Sequence, residues 1–300
     1  MMMKAEPSLE WQCDCELGMA PVWLPEAQAL LLVDAARGRL LSYDPVAGTG
    51  SFMTIGGRPS FVFPTADGQL LVGSERELLL VDRDGALVRE RRIDSPEHTR
   101  TGAATVDVHG RLWFGMTGEG KGGPMGGLLR YHDDRLVPQL FDLARPGGPA
   151  VTADGRTLYH VDMPGRTIYR FAVASAGSLS NPERFLGFSD IEGHPCSVTL
   201  DAEQCLWVTM WEGGCVQRYS PSGALLATVA IPSACVTGLA FGGADLTRAF
   251  VTTARAGERE DEPPAGGLFG FDVEVPGWVI PAVVLGHGDL GLIDDDDHHG

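Results

Sequence analysis

The side chains best suited to chemistry in this chain are a histidine and a cysteine two positions apart, His194 and Cys196. On an extended segment, residues i and i+2 face the same side. The pair can then generate a thiolate nucleophile, with the imidazole as its base. The competing reading is a buried, inert cysteine beside a hydrogen-bonded histidine. His160 and Asp162 share the same spacing and offer an acid–base pair, but Asp34 follows Val33 just as Asp162 follows Val161. Repetition at equivalent places points to a structural turn contact. Arg100 can anchor a carboxylate, phenolate or carbonyl oxygen, against the plainer reading of an ion pair between structural units. Glu119 is a loop carboxylate in the glycine-rich stretch Gly115–Gly127, either part of a site or simply solvated. That stretch is no phosphate loop, because no Gly-Lys-Ser/Thr opens a helix there. Asp294–Asp297 with His298 and His299 offers weak metal donors on what reads as a solvated tail.

The elements that must hold these side chains belong to an acidic chain of 300 residues with 44% hydrophobic content, enough for a sizeable core. The formal charge is 23 − 40 = −17, and without Asp294–Asp297 about −13 remains. Such a chain repels nucleic-acid backbones and anionic membrane surfaces. No run approaches the roughly 20 apolar residues of a membrane-spanning helix. Met1–Glu10 has one lysine and no apolar run, so a signal peptide is not expected. Six cysteines (13, 15, 196, 205, 215 and 235) are too few for a disulfide scaffold, and none has CxxC or zinc-finger spacing. The expectation is a soluble, cytoplasmic protein with a small-molecule substrate and no nucleic-acid or membrane partner.

One pattern recurs along the chain: a turn, a short apolar run, then a second strand ending in a dipeptide turn. The apolar runs begin at Leu30, Leu70, Leu112, Leu158, Leu206 and Ala249, which lie 40, 42, 46, 48 and 43 residues apart. Six copies at this period match the roughly 40–50 residues of a four-stranded propeller blade. β-branched and aromatic residues flanked by Gly, Asp and Pro support strands, and no stretch shows a convincing helical period. Asp84-Gly85 and Ser222-Gly223 sit at hairpin turns. Leu31, Leu71, Trp113, Tyr159 and Trp207 occupy equivalent positions and read as buried, as does Trp23. The expected architecture is an all-β, six-bladed β-propeller over residues 1–293, with Asp294–Gly300 as a loose tail. Closure is expected where the segment around Trp11–Leu17 pairs with the strands near Leu268–Val273. Cys235 starts the sixth blade near the channel mouth, and Trp211 and Glu212 sit at a turn that can line the entrance.

Several of these stretches resemble the SMP-30/gluconolactonase (regucalcin-like) family. The carriers run from Leu17-Gly18-Met19-Ala20-Pro21-Val22-Trp23, through Arg100–Asp107 with Gly110–Gly115, to Thr152–Tyr159, Leu206–Trp211, and Val236-Thr237 with Phe241-Gly242-Gly243. The resemblance implies a lactone hydrolase or related esterase with one divalent cation at the top of the central channel. It further implies a Glu ligand in the first motif, an Asn before Gly in the fourth blade and an Asp before Gly in the fifth. Here those places hold Met19, Gly147 and Cys196, and the implied substrate-contacting Asn and its Asp neighbour are Gly102 and Ala103. Arg100 survives, and Glu119 lies within a residue of the implied substrate-contacting glutamate. None of Met19, Gly147 and Cys196 offers a side-chain oxygen to a hard cation.

The replacements are smaller or more apolar than what they replace, which favours a bulkier, weakly polar ligand. The expected function is a metal-independent enzyme on the lactonase-like propeller, with no cofactor, acting by hydrolysis, cyclisation or rearrangement. Arg100 orients the substrate, His194 moves protons, and Cys196 attacks or lines the pocket; Met19, Gly102, Glu119, Gly147, Trp211 and Cys235 contact the ligand. Two alternatives stay open: a non-catalytic ligand-binding propeller, and a lactonase using a displaced metal. Met19, Cys196 and Cys235 as a soft-metal site has no spacing rule behind it.

Overall fold

The structure is a computed structural model and describes residues 6–119, 126–143, 145–188, 193–255, 265–286 and 291–292. Asp294–Gly300, Glu258–Glu262 and Gly120–Gly123 lie outside the described residues. No helix occurs among those described. After β1 (Ser8–Trp11), the first blade holds β2 (Gly18–Leu24), β3 (Ala29–Asp34), β4 (Arg39–Asp44) and β5 (Thr49–Thr54). The second holds β6 (Pro59–Pro64), β7 (Leu70–Ser74), β8 (Glu77–Val81) and β9 (Leu87–Arg92). The third holds β10 (Thr99–Val106), β11 (Leu112–Gly118), β12 (Gly126–His132) and β13 (Arg135–Leu143). The fourth holds β14 (Ala150–Val151), β15 (Thr157–Asp162), β16 (Thr167–Ala172) and β17 (Glu183–Gly187). The fifth holds β18 (His194–Leu200), β19 (Leu206–Trp211), β20 (Cys215–Tyr219) and β21 (Leu225–Ala230). The sixth holds β22 (Val236–Gly242), β23 (Arg248–Thr253) and β24 (Leu268–Asp272), with β1 as its outermost strand. The fold is therefore a six-bladed β-propeller of antiparallel sheets, and β25 (Gly291–Leu292) adds to the outer edge of β9.

The ring closes by β1 pairing with β24, with Ser8 opposite Gly270 and Leu9 opposite Phe269. The closing strand ends at Trp11, where the sequence pattern had placed its start. Beyond it, Cys13 and Cys15 bond the carbonyl of Gly266 instead of continuing the ladder.

The six apolar runs form the second strand of each blade, buried on both faces between neighbouring blades. Trp113, Leu71 and Val33 are fully sealed from solvent. Aromatic contacts bridge blades: Phe61 meets Phe114 at 5.8 Å and Trp207 meets Phe241 at 5.7 Å. Burying such side chains contributes roughly 1.5–3 kcal/mol each. The turns between first and second strands carry their own acceptors. Asp107 accepts from the backbone N–H of His109 and Arg111 and from Trp113 Nε1 at 2.9 Å. Asp201 does the same for Glu203, Cys205 and Trp207, and also binds Arg218. Gly85 and Gly223 take the left-handed backbone of their hairpin turns.

A segment after the sixth blade crosses the ring at the end carrying these turns. Gly277 pairs with Asp201 and bonds the carbonyl of Leu246. Val283 pairs with Thr65, and Val284 donates to Gly110. The segment thereby ties the fifth and sixth blades to the second and third and floors the channel.

Candidate functional site

The innermost strands do not run regularly at the other end of the channel. Pairing with the second strand slips between Met19 and Val22, Pro59 and Phe61, Thr101 and Ala104, Pro195 and Ser197, and Val236 and Gly238. Five of six blades thus carry a β-bulge at the same level. In the fourth, Pro146 and Gly148 make only isolated bridges, to Asp162 and Ser197. A bulge re-aims side chains and frees backbone from the ladder. The residues so displaced, among them Ala20, Gly102, Ala103, Cys196 and Thr237, line a cavity of about 740 Å³.

The cavity has an apolar body and a charged rim. Met19, Val22, Phe63, Ala104, Val151 and Leu239 face it from the blades, and Trp278 and Ile280 close it from the crossing segment. On the rim, Arg58 holds Glu75 through bonds of 2.8 and 2.9 Å and Glu119 at 2.5 Å, across from the second blade to the third. Arg58 therefore keeps the Glu119 carboxyl below its usual range. Arg100 Nε lies 3.6 Å from Glu119, and its Nη1 donates to the Thr101 carbonyl at 3.2 Å. Burial, then repulsion from Arg58, holds Arg100 below the ordinary guanidinium range. The inter-blade ion pair is thus made by Arg58, not by Arg100.

His194 Nδ1 faces the Met163 carbonyl and Nε2 faces Arg166 Nη2, each at 3.3 Å. Because guanidinium only donates, this arrangement fits a neutral ring with Nε2 accepting and Nδ1–H donating. Cys196 does not face it as a partner. Cys196 is the extra residue of the bulge between Pro195 and Ser197, so the alternation that would pair positions 194 and 196 is broken there. Its surroundings push the thiol up to about 12, chiefly by burial and further by the neighbouring Cys235. A nucleophile needs the opposite shift, so the expected attack by a Cys196 thiolate is corrected: the residue lines the pocket.

Of the other residues named from sequence, Met19, Gly102, Glu119, Gly147 and Trp211 all line the cavity, as do Arg100, His194 and Glu212. Cys235 does not. It lies one residue before β22, is buried, and is near enough to Cys196 to raise that thiol further. The His160–Asp162 pair is not assembled either. His160 is 1% exposed within the wall of the fourth blade and neither ring nitrogen has a partner among the described residues. Asp162 accepts from the Gly165 N–H of its own turn, whereas Asp34 accepts from the backbone N–H groups of Glu16 and Leu17 in the preceding segment. Sequence reasoning missed Arg58, Arg145, Trp278 and Ile280, which all line the cavity from segments between or beyond the blades.

The implied hard cation finds no fitting donors at the three corresponding positions. Met19 offers a thioether, and Cys196 a thiol held protonated. At Gly147 a Cβ would fall 2.3 Å from the Cys196 carbonyl oxygen and 2.8 Å from Val161 Cβ, so no side chain fits without moving backbone. Among the described residues, no group of three or more His, Cys, Asp or Glu could hold a metal.

A closed ring of six four-stranded blades, with a cavity framed by bulges at the channel mouth, defines the class as a six-bladed propeller. It belongs to the SMP-30/Gluconolactonase/LRE-like family, whose sequence model matches residues 17–255. Pentonolactonase XacC of Haloferax volcanii is 34% identical over 274 residues, covering 88% of this chain and 93% of that one. A 6-deoxy-6-sulfogluconolactonase of Pseudomonas putida is 31% identical over 274 residues, covering 88% and 94%. Among solved structures, a luciferin-regenerating enzyme superposes with a TM-score of 0.85 at 26% identity, covering 93% of this chain and all of that one. No helix among the described residues is long and apolar enough to cross a membrane.

Proposed function

We propose that this protein is a metal-independent enzyme that hydrolyses the lactone or ester of a bulky, weakly polar small molecule at its channel mouth. The observation that carries the reading is the chemistry of three wall positions: Met19, Gly147 and Cys196 line a cavity of about 740 Å³ without one side-chain oxygen between them. The lactonase activity of the two relatives supports the reaction class. Arg100 holds the carbonyl oxygen and stabilises the negative charge that develops on it as water attacks. His194 takes the proton of that water at Nε2, once this atom parts from Arg166, and returns it to the alkoxide released as the ring C–O bond breaks. Met19, Gly102, Gly147, Cys196 and Trp211 shape the wall, while Glu119 keeps the Arg58–Arg100 pair in place.

A second reading, ligand binding without turnover, is favoured by one observation: both ring nitrogens of His194 are engaged as folded. The test is pH-stat hydrolysis of a panel of aryl-substituted lactones and esters by chelator-treated protein. The expected result is turnover that EDTA leaves unchanged and that Arg100→Gln and His194→Gln each lower by at least about 100-fold. Turnover abolished by EDTA and restored by a divalent ion would overturn metal independence. Saturable binding without hydrolysis across the panel would leave the binding-only propeller.

A further inference from the structure

In a chain of net charge −17, three arginines (Arg58, Arg100 and Arg145) stand on consecutive blades around one part of the cavity rim. They are not equally engaged. Arg58 holds both carboxylates of this wall, Glu75 and Glu119. Arg100 makes one hydrogen bond, to the Thr101 carbonyl, and approaches Glu119 only at 3.6 Å. Arg145 is exposed at the mouth, and its side chain has no hydrogen bond or ion pair with a described residue. Among the described residues, three guanidiniums against two carboxylates leave this wall at +1. Among the described residues, the other carboxylate on the cavity wall, Glu212, belongs to the turn after β19 in the fifth blade, across the ring from Arg58. Below the rim the wall turns apolar, through Ala103, Phe63, Trp278 and Ile280.

We infer that Arg100 and Arg145 form an anion subsite that receives a carboxylate carried by the ligand, whose apolar body lies on the floor made by Phe63, Trp278 and Ile280. Planar guanidinium donors match a carboxylate in two-point geometry, and a part-buried rim lets the pairing outweigh its desolvation better than open water does. The anion also relieves repulsion within the arginine cluster, which the two glutamates leave undercompensated. The inference rests on the reading above only in taking this cavity as the binding site.

The test is equilibrium binding of phenylbutyrate and of phenylbutyramide, its uncharged counterpart, followed by the fluorescence of Trp211 and Trp278 in the cavity wall. The carboxylate is expected to bind at least about tenfold tighter than the amide, with a preference that shrinks as salt rises. Arg145→Gln, at an exposed residue without described partners, is expected to remove most of that preference and leave amide affinity unchanged. Arg100→Gln is expected to remove most of the preference as well and, because this side chain is also assigned the carbonyl oxygen, to weaken the amide. Equal affinity for the two probes, or a preference that neither variant moves, would overturn the subsite. So would failure of both probes to bind at about 10 mM. A protein that prefers the carboxylate yet hydrolyses nothing would sink the catalytic reading and leave the subsite standing.

Discussion

The Cys196 thiol lines the candidate site, and its environment makes a quantitative statement about its reactivity. Burial pushes it from the ordinary 9.0 to about 12. At pH 8 an ordinary thiol is about one-tenth thiolate, whereas a thiol at 12 is ionised in roughly one molecule in 10,000, a thousandfold fewer. A more basic thiolate is also the better nucleophile, with a Brønsted slope of about 0.4–0.5, which returns some twenty- to thirty-fold of the loss. Alkylation of Cys196 by iodoacetamide is therefore expected at about one-thirtieth to one-fiftieth the rate of an unperturbed thiol. Cys13 serves as the internal contrast: the hydrogen bond it receives from Cys15 lowers its pKa, where burial raises that of Cys196. Site-resolved mass spectrometry over a time course should show Cys13 modified early and Cys196 late. In parallel, Cys196→Ser should retain turnover within about tenfold, because a wall residue supplies shape and no electrons. Rapid alkylation of Cys196 with proportional loss of activity would refute the reasoning and restore the thiolate nucleophile.

Three further outcomes follow from the same physics. Burial lowers His160 from 6.5 to about 4, so the unfolded chain binds a proton below pH 6.5 that the folded chain refuses. Stability is then level above pH 6.5 and falls by about 3 kcal/mol towards pH 4. Urea melts of wild type and His160→Leu at both pH values should show the variant losing less on acidification; an equal loss in both would contradict the assignment. Asp201→Ala strips acceptors from Trp207 Nε1, Arg218 and two backbone N–H groups, and should destabilise by about 3–5 kcal/mol in chemical denaturation. Gly147→Asn, which restores the residue type implied for a cation ligand, drives Cβ into the Cys196 carbonyl. It should cost about 1–3 kcal/mol or more by the same measurement without creating calcium affinity in titration calorimetry; a stable variant that binds calcium stoichiometrically would show that the strand beside it gives way.

The blades were readable from sequence because the second strand of each is buried on both faces, so its apolar run repeats regardless of what the rest of the blade does. The closing strand was displaced by several residues because β1 carries no repeat: its partner is set by the end of β24, which no local pattern in Ser8–Trp11 announces. The site divides along a similar line. Positions Met19, Gly102, Gly147 and Cys196 reach the cavity because they sit at the same level of the innermost segment in four of the six repeats, and a repeat legible at one level is legible at the next. Which way a side chain points there was not legible. Alternation pairs His194 with Cys196 only on a regular strand, and the extra residue at 196 ends that regularity at the one place where chemistry was to be assigned. Arg58, Arg145 and Trp278 escaped for the complementary reason, since they come from linkers and from the crossing segment, where no period operates. The charge of the rim therefore combines Arg58 and Arg145 of the linkers with Arg100 and Glu119 of the third blade, and its apolar depth combines Trp278 and Ile280 of the crossing segment with Val22 and Phe63 of the blades. A propeller of this kind can change its ligand by substitutions in the linkers and the crossing segment without touching the blade strands that carry the core of the ring.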